Sequence, residues 1–245
     1  MFKRLTALLL LLCLTAGAAL CIAEAADPGE TARKVVYLTF DDGPKADTPE
    51  LVALLEELDV KATFFFVGLA ARAFPENAKL VYDAGHKIGC HSHSHSPTLI
   101  KEDNGFVGRD IDRFMAEIRS CVGEEFTTDI YRFPGGSTSY RKRIKRAVQE
   151  KGLTCFDWNS LSGDTHPGVT AQDIYESAIK TGADEDVIIV LMHEQKARTR
   201  QILPDLVAYY RERGYEFRTL SADPEEREIL ARCPAKIIYP EDEEL

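Results

Sequence analysis

The sequence predicts an α/β domain built on a parallel β-sheet, and three observations carry that prediction. Short apolar runs alternate with longer amphipathic ones between residues 34 and 220. Several of the short runs are apolar at successive positions, the pattern of strands buried on both faces. No repeat or low-complexity tract interrupts the alternation. Taken in order, the expected strands are 35–40 (VVYLTF), 62–67 (ATFFFV), 87–89, 130–132, 153–156 and 187–192 (VIIVLM). The segment 48–58 reads as a helix, with Thr48 as its cap, Pro49 at the first helical position and apolar residues at helical spacing. Further helices are expected at 76–84, 107–121, 141–151, 171–181 and 200–213. Strands that alternate with helices imply right-handed crossovers and a parallel sheet, open or closed.

The chain has 245 residues, 44% of them hydrophobic and 29% charged, with a net charge of −10. Its first 25 residues read as a signal peptide: Lys3 and Arg4, an apolar run from Leu5 to Leu14, and Ala23-Glu24-Ala25 as a small-x-small cleavage site. The alternative is an uncleaved anchor, since the weakly polar stretch continues to Ala23. The expected location is therefore secreted or associated with the cell envelope. About 220 residues then remain, enough for one domain with a sizeable core. That domain is expected over 34–222, followed by an acidic tail over 223–245 whose last residues, 241–245, are disordered. The acidic balance argues against a nucleic-acid partner, because binding phosphates needs a positive surface. It leaves a neutral glycan open, and a monomer is expected. Export would place Cys90, Cys121, Cys155 and Cys233 where disulfides can form, in any of three pairings. None is in a Cys-x-x-Cys arrangement, which disfavours a redox or four-thiolate zinc role.

Four candidate sites share one position, at or just past the C-terminal end of an expected strand. In parallel α/β folds that edge collects binding and catalytic groups. Asp41 and Asp42 follow the first strand in TFDDGP, and adjacent carboxylates there repel unless a cation or hydrogen bonds offset them. The plainer reading is a turn. His91 and His95, in HSHSH, are four apart, so on one helical turn both rings can face a common metal while His93 faces elsewhere. The plainer reading is a surface His tract. Arg132 precedes Phe133-Pro134-Gly135-Gly136, where the glycines permit close backbone approach and the guanidinium can hold a carboxylate bidentately. Taken alone, turn chemistry explains it. His193 ends the most hydrophobic strand and is either a satisfied core residue or an acid/base group, with Glu194 beside it.

Together these motifs resemble the polysaccharide deacetylases of the NodB homology group, carbohydrate esterase family 4, over about residues 34 to 220. TFDDGP, the His91/His95 pair, Arg132-x-Pro134-x-Gly136 and Leu191-x-His193 carry the resemblance, and Lys61-Ala62-Thr63-Phe64-Phe65 is similar to the family's second strand. The resemblance implies a distorted (β/α) barrel and hydrolysis of acetamido groups on an N-acetylated polysaccharide, peptidoglycan or chitin-like. It implies that Asp42, His91 and His95 bind one divalent metal, that Asp41 is the general base with Arg132 as its partner, and that His193 is the general acid. Asp164 would orient and tune His193, and Trp158 and Leu191 would line the pocket for the acetyl methyl group. Such chemistry needs an acidified water and a protonated amine leaving group. The developing oxyanion would rest partly on a backbone N–H, that of Gly135. Two nitrogens and one oxygen suit Zn2+, with Co2+, Ni2+ and Mn2+ as alternatives. Ser139, Leu161 and Thr165 depart from the family pattern, so the loop after Gly136 and one pocket wall are expected to be built differently. Two other functions stay open: an O-acetyl esterase on xylan or wall glycan, and a catalytically silent glycan-binding wall protein.

Overall fold

A computed structural model describes residues 33–243, so the signal peptide expected over 1–25 lies outside the described residues. The sheet has the strand order β6-β7-β1-β2-β3-β4-β5-β9. These are β1 (Lys34–Asp41), β2 (Thr63–Phe66), β3 (Lys87–Cys90), β4 (Ile130–Tyr131), β5 (Thr154–Phe156), β6 (Ser160–Leu161), β7 (Val187–His193) and β9 (Ile237–Ile238), with β8 (Tyr215–Phe217) pairing β1 at its start. Every pairing is parallel except that of β5 with β9. The sheet curls into a half-barrel, and β6 and β9 stand at its two ends.

The expected helices appear as α1 (Thr48–Glu57), α3 (Pro75–Asp83), α5 (Asn104–Val122), α6 (Lys142–Gln149), α7 (Ala171–Thr181) and α8 (Ala197–Glu212). Besides one near the C-terminus, two short helices were not anticipated, α2 (Gly68–Ala73) and α4 (Pro97–Glu102). Both span only six residues, too few for a helical period to stand out. The strands β6, β8 and β9 are missed for the same reason.

Successive side chains of a strand face opposite ways, so each strand feeds two cores. Val36, Leu38, Phe40, Ile188, Val190 and Met192 pack under the helices. Val35, Tyr37, Phe65, Ile130, Phe156, Val187 and Ile189 form a second cluster on the other face, inside the curl. Following that inner face up β1 and β7, the alternation passes from Val35 and Tyr37 to Thr39 and Asp41, and from Val187 and Ile189 to Leu191 and His193. Apolar residues thus plug the inside, and chemistry-bearing ones emerge at its C-terminal mouth.

The segment after Asp223 is not a free acidic tail. Residues Pro224–Leu230 form α9, with the Asp223 carboxylate accepting the Glu226 N–H at 2.9 Å as its N-cap. Acidic residues in the first turn of a helix are favoured by its dipole, so Glu225 and Glu226 help the fold rather than oppose it. Ile229 and Leu230 are buried against the inner cluster. Glu226 is buried as well, accepting hydrogen bonds from the Tyr37 hydroxyl and from Arg218. Residues 241–243, expected to be disordered, are tied in: Gln149 Nε2 donates to the carbonyls of Tyr239 (2.6 Å) and Asp242 (3.0 Å). Cys90, Cys121, Cys155 and Cys233 are all free thiols, so none of the three pairings is present. Cys90 and Cys155 lie on strands separated by β4. We expect Leu230→Ala to lower stability by about 2–4 kcal/mol, the usual effect of truncating a buried leucine. Urea denaturation reads this, and a change below about 0.5 kcal/mol would mean that α9 is dispensable to the fold.

Candidate active site

Strand register assembles the site. Asp41 of β1 is the in-register neighbour of His193 on β7 and of Phe65 on β2. The His91 N–H donates to the Phe66 carbonyl at 2.9 Å, and the Arg132 N–H donates to the Cys90 carbonyl at 2.9 Å. Sheet hydrogen bonding therefore carries one level of the C-terminal edge from His193 through Asp41 and His91 to Arg132.

Asp42, His91 and His95 each offer a donor atom, and these atoms lie within 4.8 Å of one another. His91 Nδ1 is 2.8 Å from the Arg132 carbonyl, so that nitrogen carries the proton and Nε2 is left with a free lone pair. Nε2 stands 3.7 Å from Asp42 Oδ1 and the same distance from Asp41 Oδ2. His95 Nε2 is 3.1 Å from Asp42 Oδ1, yet that buried oxygen has no well-formed hydrogen bond. Two imidazole nitrogens and a carboxylate oxygen converging on one space are what ligands of a shared cation look like, and this donor set fits a divalent ion. Burial opposes the charge of Asp42, but the imidazoles of His95, His91 and His193 outweigh it and hold its carboxyl below the usual range.

The route to this convergence differs from the expected helical turn. Residues 91–96 form a loop, in which Ser92 (φ 68°) and His95 (φ 48°) take left-handed conformations, as does Asp42 (φ 71°) on the facing loop. Such backbone costs about 1 kcal/mol or more per non-glycine residue unless its surroundings impose it. Here a buried carboxylate does so. Asp110 of α5, 1% exposed, accepts the N–H groups of His93 (2.7 Å) and Ser94 (3.2 Å). Ser92 Oγ accepts the His95 N–H at 2.7 Å. His93 turns away from the donor cluster, as its spacing implied, with Nε2 3.7 Å from Glu117.

Arg132 is fully buried. Its Nη1 donates to Asp41 Oδ1 at 2.9 Å and to Thr39 Oγ1 at 2.7 Å, and its Nε donates to the Phe156 carbonyl at 3.0 Å. The contact with Asp41 is therefore single, not bidentate, because the other donors serve the backbone of the neighbouring strand. The guanidinium also lies 4.1 Å from the centroid of the Phe65 ring.

His193 is held on two sides by Asp164, whose Oδ1 is 2.8 Å from the ring Nδ1 and whose Oδ2 accepts the His193 N–H at 2.7 Å. Thr199 Oγ1 donates to the same Oδ2 at 2.8 Å. Burial works against a charged imidazole, but the Asp164 carboxylate, joined by Asp41 and Asp42, outweighs it and raises the His193 pKa. For Asp164, burial likewise opposes the charge, and the bonds from His193 and Thr199 overcome it. Glu194 takes no part in the mouth. It faces the other side of β7, is 1% exposed, bonds Thr48, and fills the space that a side chain at Gly43 would need. Burial pushes its pKa up to about 7.

Gly135 is exposed with φ 77°, and nothing lies near the position a Cβ would occupy. Trp158 closes against Gly136, and Leu191 is buried two residues before His193 on the same face. Loop bonding after Gly136 does not depend on Ser139: Asp157 accepts both the N–H (2.9 Å) and the hydroxyl (2.6 Å) of Ser137. Leu161 and Thr165 are exposed. Sequence reasoning missed Asp110, Asp157, Thr199 and Thr39. Their partners are backbone groups or residues far along the chain, and only a polar residue on an otherwise apolar helical face hinted at Asp110.

If Asp110 sets the loop that carries His91 and His95, Asp110→Asn should weaken affinity for Zn2+ or Co2+ about 10-fold or more. Calorimetric titration of each ion into the apoprotein measures this, and unchanged affinity would mean that the loop holds its shape without the carboxylate.

The polysaccharide deacetylase family model matches residues 28–156. A peptidoglycan-N-acetylglucosamine deacetylase of Bacillus cereus is 30% identical over 195 residues, which are 76% of this chain and 68% of that protein. Among solved structures, a polysaccharide deacetylase of Bacillus cereus superposes with a TM-score of 0.72 at 29% identity, covering 78% of this chain and 94% of that one. A carbohydrate esterase family 4 enzyme of Streptococcus mutans gives 0.70 at 29% identity, covering 77% and 87%. Matched by the family model over residues 28–156 and in fold across most of its length, the chain belongs to the polysaccharide deacetylase family.

Proposed function

We propose that the protein is a metal-dependent N-deacetylase acting on an N-acetylated polysaccharide of the cell envelope, peptidoglycan in the first place, with acetate as product. The observation that carries this reading is the pairing of two differently prepared proton carriers at the ends of adjacent strands. Asp41 is ion-paired to a buried arginine, and His193 is kept ready to hold a proton by Asp164. Asp41 Oδ2 is 3.7 Å from His91 Nε2, and His193 is close enough to act on the charge of Asp42. The Bacillus cereus relative named as a peptidoglycan deacetylase supports the substrate class and the envelope location.

In this mechanism Asp42, His91 and His95 hold one divalent ion, with Zn2+ the best match to the donor set. When bound, the ion supplies a Lewis acid that polarises the acetyl carbonyl and makes a water easier to deprotonate. Asp41 takes that proton, with its Oδ1 anchored by Arg132 and its Oδ2 turned toward His91. The N–H of Gly135, an exposed residue, would serve the developing oxyanion. His193 gives its Nε2 proton to the departing sugar nitrogen while Asp164 keeps Nδ1 engaged. An amine leaves poorly unless protonated, so a built acid favours amide over ester cleavage. Trp158 and Leu191 bound the space for the methyl group.

Acetate release from a panel of N- and O-acetylated glycans tests the proposal. Chelator should abolish release from the N-acetylated members, and added Zn2+ or Co2+ should restore it. Asp41→Asn should lower kcat by about 100-fold or more, and full turnover in metal-free protein or in that variant would end this mechanism. The acid has a pH signature. His193 must be protonated to act, and its raised pKa keeps it so to higher pH, with activity lost as pH rises through that value. Asp164→Asn removes the main raising influence and leaves burial to lower the pKa. The alkaline limb of kcat/KM should then move to lower pH, and an unmoved limb would remove His193 from the role.

A further inference from the structure

A basic cleft opens between the two chain segments that leave the site. One is the chain after His95, which enters α4 and ends in Lys101 and Glu102. The other is the chain after Gly136, which passes a 3-10 turn (Ser137–Ser139) and enters α6 through Arg141. They meet where Arg143 Nη2 donates to the Glu102 carbonyl at 3.2 Å and where Lys101 Nζ lies 5.1 Å from the centre of the Tyr140 ring. Tyr140 in turn stacks on Phe133 and donates its hydroxyl to the Pro134 carbonyl at 2.9 Å. The cleft is thus built onto the same loop that carries Gly135. Lys101, Glu102, Ser139, Arg141 and Arg143 line a volume of about 520 Å3.

The charge of this cleft is opposite to that of the molecule. The chain as a whole carries −10, yet Arg141–Arg146 contains Arg141, Lys142, Arg143, Lys145 and Arg146 with no carboxylate among them. Three lining cations against Glu102 leave the cleft at +2. Among the described residues, neither Lys101 nor Arg141 nor Arg143 has a carboxylate within 4.0 Å. Surface cations of folded domains commonly face acids, and this chain has forty of them. Guanidinium groups without a carboxylate partner, lining one cleft with the Ser139 hydroxyl, make a receptor for a planar anion. An acidic body would otherwise repel an anionic strand, so the patch also dictates where such a strand can lie.

We propose that this cleft is a subsite for a carboxylate borne by the glycan near the sugar being deacetylated. The protein then prefers an acidic N-acetylated strand, with carboxylates on its sugars or on peptides attached to them, over a neutral chitin-like one. This rests on the deacetylase reading above. Exposed charges contribute modestly one by one, and three acting on one carboxylate give a preference of about tenfold.

The test uses three probes: a neutral N-acetylglucosamine tetramer, a strand with an ether-linked carboxylate on alternate sugars, and the same strand carrying short peptides in place of the free carboxylate. Binding is measured by calorimetry in an Asp41→Asn background, and acetate release is measured in the active protein. We expect at least one acidic probe to bind about tenfold more tightly than the neutral one at low salt, with the gap closing by about 0.5 M salt. Arg141→Gln with Arg143→Gln should erase the preference, Lys101→Gln should reduce it, and Arg141→Lys with Arg143→Lys should retain most of it. Which acidic probe gains identifies the source of the carboxylate. Equal binding of all three probes, or a preference untouched by the glutamine variants, overturns the subsite whatever the turnover. A preference that follows these variants while no probe releases acetate upholds the subsite and overturns the deacetylase reading.

Discussion

The site hangs on one fully buried guanidinium. Arg132 bonds Asp41 and Thr39 from β1 and the Phe156 carbonyl at the end of β5, while its own carbonyl fixes the His91 ring. A lone cation in that position would be strongly unfavourable, and only the Asp41 carboxylate with the ring of carbonyl and hydroxyl oxygens makes it tolerable. The reverse also holds. Asp41 can stay at the top of an apolar barrel because this cation is there. One residue thereby sets both the carboxylate proposed to move a proton and the tautomer of an imidazole proposed to hold metal.

A second constraint is the alternation of strand side chains. Inside the curl, the apolar residues Val35, Tyr37, Val187 and Ile189 make a rigid base, and the same period delivers Asp41 and His193 at the mouth. The proposed base and acid are neighbours by register, so neither needs a long flexible loop to reach the other. The remaining groups sit on loops whose shapes are imposed from outside, by Asp110 under the histidine loop and Asp157 under the loop after Gly136.

Much of this was legible in the sequence because it depends on local patterns. Runs such as VIIVLM declare a strand buried on both faces, and Asp42, His91 and His95 announce themselves by residue type at strand ends. The helical turn expected for His91 and His95 was wrong for a physical reason. Spacing of four is compatible with a helix, but left-handed Ser92 and His95 bring the rings together just as well once Asp110 holds the loop. The acidic segment after Asp223 looks like a tail by composition, but the position of its acids makes it a helix start. Asp223, Pro224, Glu225 and Glu226 form a helix start, and the apolar pair Ile229 and Leu230 follows at the right distance to seal the inner core. Contacts such as Thr199 with Asp164 leave no local trace, since they arise only when distant elements pack.

The four thiols of the described residues, each unpaired, bear on how the domain responds to reductants and electrophiles. Among the described residues no disulfide contributes to the fold, so a reductant has nothing to undo there. Cys90 and Cys155 sit in the dry interior, where burial pushes their thiols up and keeps them from becoming thiolates. They behave there as small apolar residues, sealed against electrophiles and stray metals.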